Sequence, residues 1–237
     1  MQNGVINIDV VILCGGLGSR LRKISGDLPK ALMPFAGRPF INVLIDFLLP
    51  FGFRRFVLCV GHLRDKFREH FSACDYEIVF SEEVEPLGTG GAVKNAQPHI
   101  ATSPFLLVNG DSLCQADLRE FREFHMRKPA VLSIVLCRPF SENAYGMVEV
   151  DREDRIVAFR EKGEVREGSF INAGIYLAER RIFELMPQVP CFSLERDLIP
   201  AILPHGCYGF ITDAELIDIG TPERYVKALQ KLTQIHR

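Results

Sequence analysis

The sequence has no large excess of charge of either sign and no long apolar run. Its 237 residues include 28 lysines and arginines against 30 aspartates and glutamates, a formal net charge of −2. Nucleic acids and anionic membranes bind basic surfaces, so this balance argues against both as partners. The longest apolar stretch, 40–53, is interrupted by Asn42, Asp46 and Pro50, whereas a membrane helix needs about 20 apolar residues. We therefore expect no nucleic-acid partner and no membrane segment.

Closely spaced cysteines and histidines are also missing. The seven cysteines are an odd number, the nearest two lie 15 positions apart, and the six histidines form no HxH or HxxxH pattern. Buried reduced thiols explain this better than disulfides or zinc. The first residues, MQNGVINID, lack the basic start and apolar core of a signal peptide, so we expect a cytoplasmic protein.

What the sequence does contain is an alternation of apolar strand-like runs and helix-length segments. Hydrophobic residues make up 47% of the chain, enough for the core of a large domain. The predicted strands of the first 140 residues are 9–14, 56–60, 77–80, 105–109 and 131–137, and the predicted helices are 40–49, 63–71, 90–96 and 117–126. This order predicts a Rossmann-like α/β fold, with a mostly parallel sheet and helices on both faces.

From Tyr145 onward the pattern changes to shorter alternating strands at 148–150, 156–159 and 171–177, which predict a small antiparallel lid subdomain. Helical segments near 179–186 and 193–203, strands at 207–211 and 215–219, and a final helix that begins with Thr221 and Pro222 follow. We expect a single domain over 1–237. Its parts are a core at 8–140, a lid insertion at 141–178 and completion of the core at 179–237.

The segment 10–34, VVILCGGLGSRLRKISGDLPKALMP, runs from a strand into a glycine-rich loop and then to basic residues. Gly15, Gly16 and Gly18 lack a Cβ, so backbone N–H groups can approach an anionic ligand closely. Between residues 15 and 40 five residues are basic and one is acidic, and Arg20 and Lys30 are among the basic ones. We interpret the segment as a phosphate-binding surface, and a glycine turn without a ligand is the alternative.

Two common glycine-loop motifs do not fit this segment. A P-loop, GxxxxGK[ST], needs a Gly-Lys pair that does not follow Gly15 or Gly16 at that spacing. A dinucleotide fingerprint, GxGxxG, would begin at Gly16, but Leu21 stands where its third glycine belongs.

Two aspartates are placed where carboxylates can serve a ligand. Asp111 follows the run PFLLVNG, at the carboxyl end of a strand, where open α/β sheets bind ligands. An Asn-Gly hairpin is the alternative, but Ser112 to Leu118 is a poor strand that leads into a helix, which favours a crossover. Asp218 lies among apolar residues in AELIDIG, where a lone carboxylate would destabilise the fold. It either has a partner, such as an arginine or a helix N-terminus, or faces the glycine loop, where both aspartates could hold Mg²⁺ against substrate phosphates.

With these residues in view, the chain resembles the sugar-1-phosphate nucleotidylyltransferases, which have the nucleotide-diphospho-sugar transferase type of fold. Eight motifs in order carry the resemblance over most of the chain. They are GGLGSRL (15–21), LPKALMP (28–34), EPLGTGGA (85–92), VNGD (108–111), YG (145–146), EK (161–162), INAGIY (171–176) and DIGTPE (218–223).

The resemblance implies a site for two substrates, a nucleoside triphosphate and a sugar 1-phosphate. The implied catalytic residues are Arg20 at the triphosphate, Lys30 near the α-phosphate, Lys162 at the sugar phosphate, and Asp111, which with Asp218 would carry Mg²⁺. The implied nucleotide-binding residues are Leu13, Gly15, Gly16, Gly18, Ser19, Glu85, Gly88 and Gly90. The implied sugar-binding residues are Tyr145, Gly146, Glu161 and Asn172. The sugar phosphate would attack the α-phosphorus in line, so the protein mainly aligns and neutralises two polyanions.

One further segment, 82–91, is the basis for predicting which base and which sugar are bound. Guanine presents N1–H and N2–H₂ side by side, which an ionised carboxylate accepts, whereas uracil and thymine suit an amide. In the family the side chain before the LGTGG-like loop often meets the base, and EEVEPLGTGG offers Glu85 or Glu83 here, so we expect GTP. The stretch EPLGTGGAVKNA and the short chain are most similar to the D-glycero-D-manno-heptose 1-phosphate guanylyltransferases. Mannose 1-phosphate guanylyltransferases, which usually carry a C-terminal β-helix, and small uridylyl- or cytidylyltransferases are the alternatives.

Three positions depart from the family pattern. Ser25 replaces a usual threonine, Gly163 follows Lys162 where proline is usual, and Arg38 replaces a common lysine. These departures concern detail rather than reaction class. A non-catalytic protein that senses nucleotide sugars is a hypothesis of another class, but Lys30 and both aspartates are present. The sequence does not fix the number of subunits, and a homo-oligomer is compatible with it.

Overall fold

The computed structural model describes residues 7–16, 21, 24, 26–139, 146–160 and 168–235, with the backbone alone for 232–235. The strands in these ranges are β1 (Val10–Leu13), β2 (Pro34–Phe35), β3 (Arg38–Pro39), β4 (Arg55–Val60), β5 (Glu77–Glu82), β6 (Phe105–Asn109), β7 (Ser112–Cys114), β8 (Leu132–Cys137), β9 (Met147–Val150), β10 (Ile156–Arg160), β11 (Phe170–Ala178), β12 (Cys207–Thr212) and β13 (Leu216–Asp218). The α-helices are α1 (Phe40–Leu48), α2 (Arg64–His70), α3 (Gly88–Ala96), α4 (Leu118–Arg127), α5 (Ile199–Ile202) and α6 (Pro222–Ile235).

The central sheet has the order β12-β8-β11-β6-β1-β4-β5. Its strands pair in parallel except at β11, which is antiparallel to both β6 and β8. The predicted mostly parallel sheet is therefore confirmed. Because β1, β4, β5 and β6 are parallel neighbours, the loops after their carboxyl ends meet at one edge of the sheet.

Helices cover both faces of this sheet, as the sequence predicts, and each face has its own apolar core. Side chains alternate along β1, so Val10 and Ile12 join the core under α1, α2, α4 and α6, while Val11 joins the core under α3 and α5. Both cores are extensive, and they hold the edge of the sheet between them rigidly. No helix among the described residues has the length and apolar character needed to cross a bilayer.

The region after residue 145 differs from the predicted lid. Strands β9 and β10 form an antiparallel pair, and β9 joins the first residues of β11 at Phe170 and Ile171. The rest of β11 lies in the middle of the central sheet, between β6 and β8. The pattern of short strands therefore did not reveal a nine-residue central strand. The antiparallel β9–β10 pair is an extension of the same sheet.

Strands β7 and β13 form a separate two-stranded sheet beside the central one. They are antiparallel, and Asp218 is paired with Ser112. The sequence favoured a crossover after Asp111, and the chain does leave β6 without forming a hairpin with it, but Ser112–Cys114 is a strand rather than an irregular segment. Its partner, β13, lies about one hundred residues later in the chain, and local propensity does not reveal such pairing.

The cysteines are unbridged, as predicted, but not all are buried. Cys74 and Cys191 are exposed and the other five are buried. Burial raises the pKa of the Cys14 and Cys207 thiols, so these groups are neutral packing residues.

Candidate functional site

A cavity of about 390 Å³ opens at the edge of the sheet beyond β1 and β6. Open α/β sheets bind ligands at this edge, outside the carboxyl ends of the strands. The residues that line it are Leu13, Cys14, Gly15, Gly16, Lys30, Ala31, Glu83, Pro86, Gly88, Thr89, Ala92, Asn109, Gly110, Asp111 and Gly220. They come from the end of β1 and the glycine-rich loop after it, the LPK segment, the connection from β5 to α3, the first half of α3, the VNGD turn and the DIG segment.

The first glycine of the loop makes room for a carboxylate. A Cβ on Gly15 would lie 2.2 Å from Oε1 of Glu83, whereas a Cβ on Gly16 would meet nothing within 4 Å. A side chain at position 15 would therefore displace Glu83, while Gly16 faces open space. The other predicted loop residues, Gly18, Ser19 and Arg20, lie outside the described residues.

Glu83 is the buried acid of the cavity. Its Oε2 accepts a hydrogen bond from the backbone N–H of Leu87 at 3.1 Å. Burial raises the pKa of Glu83, and the N–H of Leu87 partly offsets this. Glu85, to which the sequence assigns nucleotide binding, is exposed and does not line the cavity. The structure thus places at the cavity the alternative glutamate of the same segment.

Lys30 and Asp111 form the charged part of the cavity. The Lys30 ammonium donates to Oδ2 of Asp111, and both groups line the cavity. Lys30 is held on a short 3₁₀ turn, Lys30–Leu32, whose Ala31 and Leu32 are buried. Asp111 follows the Gly110 turn, and its carbonyl accepts from the N–H of Ile219 at 3.0 Å. This backbone bond joins the VNGD turn to the strand that bears Asp218.

Asp218 is brought beside Asp111 by the β7–β13 pairing. Burial and the charge of Asp111 raise the pKa of Asp218, and Arg224, the N–H of Gly220 and Lys30 partly offset the shift. Arg224 donates to Oδ2 of Asp218, and Gly220 donates through its backbone to Oδ1. Asp218 therefore has the arginine partner that one sequence interpretation expects, and it lies beside Asp111. Its role as a metal ligand stays a prediction.

The two aspartates fit a hard divalent cation. They supply carboxylate oxygens, the donors that Mg²⁺ prefers, and Mg²⁺ in phosphate-transfer sites is bound by one or two carboxylates plus substrate phosphates. Among the described residues, no group of three or more histidine, cysteine, aspartate or glutamate side chains is placed to hold a metal ion. A metal bound by the two aspartates would therefore need further ligands from the substrate phosphates. The donor set is thus suited to a metal that arrives with a polyphosphate.

The predicted sugar-binding residues Gly146 and Asn172 lie next to each other. The Asn172 N–H donates to the Gly146 carbonyl at 3.0 Å, and the Asn172 side chain donates to the Tyr176 hydroxyl at 2.7 Å. Neither residue lines the cavity. Tyr145, Glu161 and Lys162 lie outside the described residues.

Gly90, predicted to bind nucleotide, is buried at the start of α3 and does not line the cavity. Its N–H donates to the Phe192 carbonyl at 3.0 Å, and a Cβ there would lie 2.3 Å from the Phe192 ring. The structure thus gives this glycine a packing role. Gly88, with φ of 71°, does line the cavity.

The sequence analysis missed two polar residues of this region. Arg224 reaches Asp218 from the first turn of α6, and Asn109 lines the cavity although only its neighbour Asp111 was assigned a role. Arg224 directly follows the DIGTPE motif, but a helical arginine is usually a solvated surface residue. Asn109 lies within a quoted motif, and its type alone does not separate a turn residue from a ligand contact.

Nearly the whole chain is similar to known nucleotidyl transferases in sequence and in structure. A family model described as "Nucleotidyl transferase" matches residues 9–235. A D-glycero-alpha-D-manno-heptose 1-phosphate guanylyltransferase of Aneurinibacillus thermoaerophilus is 38% identical over 95% of this chain and 98% of that protein. A mannose-1-phosphate guanylyltransferase of Mycobacterium tuberculosis is 35% identical over 96% of this chain and 65% of that protein. The crystal structure of HddC from Yersinia pseudotuberculosis has a TM-score of 0.80 at 35% identity, covering 95% of this chain and 99% of that one, and HddC has also been solved complexed with GMP-PN.

Proposed function

Since this chain belongs to the nucleotidyl transferase family, we propose that it transfers the guanylyl group of GTP to a sugar 1-phosphate. The observation that carries the proposal is one cavity that is lined both by the buried residue Glu83 and by the Lys30–Asp111 pair. The first would receive the base and the second the phosphates. The names of two relatives, both guanylyltransferases, and the GMP-PN complex of HddC support guanine as the base.

Glu83 is suited to guanine because a carboxylate accepts but does not donate. Guanine offers the adjacent donors N1–H and N2–H₂, and two such bonds to one ionised carboxylate are of the stronger, charge-assisted kind. Pyrimidine bases of UTP, CTP and dTTP do not present two adjacent ring and amino donors of this kind. Glu83 thus replaces Glu85 in our proposal, because it is the glutamate of this segment that lines the cavity.

In the proposed reaction an oxygen of the sugar phosphate attacks the α-phosphorus, the bond to the bridging oxygen of the β-phosphate breaks, and pyrophosphate leaves. Both substrates are polyanions, so the protein must neutralise and align them. Among the described residues, Lys30 is the cation that lines the cavity, and we assign it to the α-phosphate. Arg20 at the triphosphate and Lys162 at the sugar phosphate stay predictions from the resemblance.

Asp111 and Asp218 would hold Mg²⁺. When bound, this metal would supply positive charge against the phosphate oxygens and the leaving pyrophosphate. Burial and the charge of Asp111 raise the pKa of Asp218, and Lys30 pairs with Asp111. A further cation beside these two carboxylates would therefore be favourable, which supports the proposal.

For the sugar we propose D-glycero-D-manno-heptose 1-phosphate. Two relatives named for this heptose, from Aneurinibacillus thermoaerophilus and Campylobacter jejuni, match this chain over 98% and 97% of their own length. The mannose 1-phosphate enzyme of Mycobacterium tuberculosis is matched over 65% of its length, and mannose 1-phosphate is therefore the second candidate. Gly146 and Asn172, with Tyr145 and Glu161, are the proposed sugar contacts. A cytoplasmic location and a homo-oligomer stay predictions.

The direct test of this proposal is a substrate panel. Purified protein with Mg²⁺ is supplied with GTP, ATP, UTP, CTP or dTTP and with heptose, mannose or glucose 1-phosphate, and pyrophosphate release and product mass are measured. We expect the highest rate with GTP and the heptose, and a loss of at least about 100-fold in Asp111→Asn. A higher rate with another nucleotide would overturn the choice of base. Absence of pyrophosphate with every pair, in a folded protein, would favour the sensing protein instead.

The glutamate pair 83 and 85 offers a matched test of base recognition. Glu83→Gln keeps the acceptor for Leu87 but replaces a pure acceptor by an amide, so we expect the GTP to UTP ratio of kcat/KM to fall by about 10-fold to 100-fold. Glu85→Gln makes the same chemical change at an exposed site and should keep the ratio. The opposite result would return base recognition to Glu85.

A further inference from the structure

Asn109 has a buried polar atom that no described residue satisfies. Its Oδ1 is buried and has no hydrogen-bond partner within the part of the chain that the structure describes. The residue ends β6, lines the cavity and directly precedes the Gly110–Asp111 turn. A buried carbonyl without a donor destabilises the fold, so its presence beside a ligand cavity requires a reason.

The neighbouring strand is shaped to accommodate this amide. Gly174 on β11 has φ of 73°, and a Cβ there would lie 2.6 Å from Nδ2 of Asn109. Its N–H is held by Oδ1 of Asn172 at 3.0 Å, while Nδ2 of Asn172 donates to Tyr176. Asn172 is thus engaged at both ends of its amide. It fixes the glycine turn that leaves space for Asn109.

Because no described residue supplies a donor to Asn109, a ligand in the cavity is the candidate donor. The last side-chain torsion of asparagine is broadly two-fold, so either end of the Asn109 amide can face the cavity that this residue lines. Asn109 opens onto the cavity that contains Glu83 and Lys30, and the sugar-side residues Gly146 and Asn172 do not line it. In a nucleotide whose base meets Glu83 and whose phosphates meet Lys30, the intervening group is the ribose. Its donors are hydroxyl groups.

We propose that Asn109 accepts a hydrogen bond from a ribose hydroxyl of the bound nucleoside triphosphate and thereby selects ribonucleotides over deoxyribonucleotides. The inference rests on the proposed function for the position of the nucleotide, but not on the identity of the base. A site built to bond a hydroxyl rejects the analogue that lacks it, because the protein group is then left without a partner.

The test compares GTP with 2′-deoxyGTP and 3′-deoxyGTP in the wild type, in Asn109→Leu and in Asn95→Leu, whose asparagine lies outside the cavity. We expect the wild type to lose about 10-fold to 100-fold in kcat/KM with at least one analogue. In Asn109→Leu the ratio of kcat/KM for GTP to kcat/KM for the analogue should fall to about twofold. The reason is that kcat/KM for GTP drops while kcat/KM for the analogue changes little. Asn95→Leu should keep the wild-type ratio.

Several outcomes would overturn the inference. If the wild type has the same kcat/KM for both deoxy analogues as for GTP, the inference is wrong, and no variant is needed to show it. A variant that keeps the wild-type ratio but has a higher KM for the sugar 1-phosphate would assign Asn109 to the acceptor sugar instead. Calorimetric binding of the same nucleotides gives the ratio even if transfer is not observed. If the protein prefers another base, the ribo- and deoxy-forms of that nucleotide are compared, so failure of the guanine assignment is distinguished from failure of this one.

Discussion

At the scale of single residues, function and stability oppose each other at Asp218. Burial and Asp111 raise the pKa of this carboxyl in the folded protein, so the fold is weakened whenever Asp218 is ionised. We expect Asp218→Asn to raise the free energy of unfolding at pH 7 to 8 and to abolish most of the transfer activity. Urea unfolding without Mg²⁺ measures the first effect, and pyrophosphate release the second.

The pH dependence of this difference follows from the direction of the shift. The folded pKa exceeds the unfolded one, so the stability that protonation of Asp218 provides is lost as pH rises through the folded pKa. The advantage of Asp218→Asn should therefore shrink as the pH falls below the folded pKa of Asp218, where the wild-type carboxyl is also neutral. A variant that is less stable at neutral pH would show that the pairing of Asp218 with Arg224 outweighs burial.

Lys30 offers a second residue-scale prediction. Its charge is paired with Asp111 in the structure and would be needed on the α-phosphate during transfer, so Lys30→Met should lower kcat by about 100-fold to 1,000-fold. Lys227→Met, at an exposed position of α6, is the matched control and should change kcat by less than about twofold. Steady-state kinetics with both substrates varied gives both values. A fall of less than about fivefold in Lys30→Met would remove Lys30 from the reaction centre.

Residue types in ordered motifs predicted Lys30, Asp111 and Asp218, and the structure places all three together. The same reasoning chose Glu85 over Glu83, because two glutamates in one segment have the same chemistry and differ only in burial. Arg224 and Asn109 were missed for a related reason. Their roles depend on what lies opposite them in space, which no local pattern contains.

At the scale of elements, the start of α3 illustrates how a glycine-rich motif serves packing. Gly90 lies against Phe192, and an added Cβ would overlap its ring at 2.3 Å. We expect Gly90→Ala to lower the free energy of unfolding by about 1–3 kcal/mol through overpacking, with little change in the KM for GTP.

A double-mutant cycle with Phe192→Leu separates packing from binding. If the loss comes from the Phe192 ring, the two substitutions together should be less damaging than the sum of the single effects. Urea unfolding gives the four free energies. Additive effects, or a KM for GTP raised more than about 10-fold in Gly90→Ala, would contradict the packing role.

Elements with strong local patterns were predicted closely, and those defined by distant partners were not. The strand at 105–109 and helix α4, predicted at 117–126 and observed at Leu118–Arg127, have clear apolar patterns, and Asp117 caps α4 by accepting from the N–H of Arg119 at 2.8 Å. Strand β7 has three residues, and it depends on β13. Strand β11 was assigned to a lid because its neighbours in sequence are short strands, although its neighbours in space are β6 and β8.

At the scale of the whole molecule, the fold class follows from composition and alternation. Apolar runs spaced by helix-length segments require a sheet covered on both faces, and the two apolar cores confirm this. The position of the cavity also follows, because ligands bind at the carboxyl edge of such a sheet. What alternation does not contain is the order of the strands, and that order brings the VNGD and DIG segments together.

The central claim is that GTP binds in this cavity with guanine at Glu83 and the phosphates at Lys30. A crystal structure of the protein with a non-hydrolysable GTP analogue, Mg²⁺ and the sugar 1-phosphate tests it most directly. We predict the guanine N1 and N2 atoms at about 3 Å from the Glu83 carboxylate, with the α-phosphate beside Lys30. A nucleotide bound outside the cavity, or a base turned away from Glu83, would contradict the account.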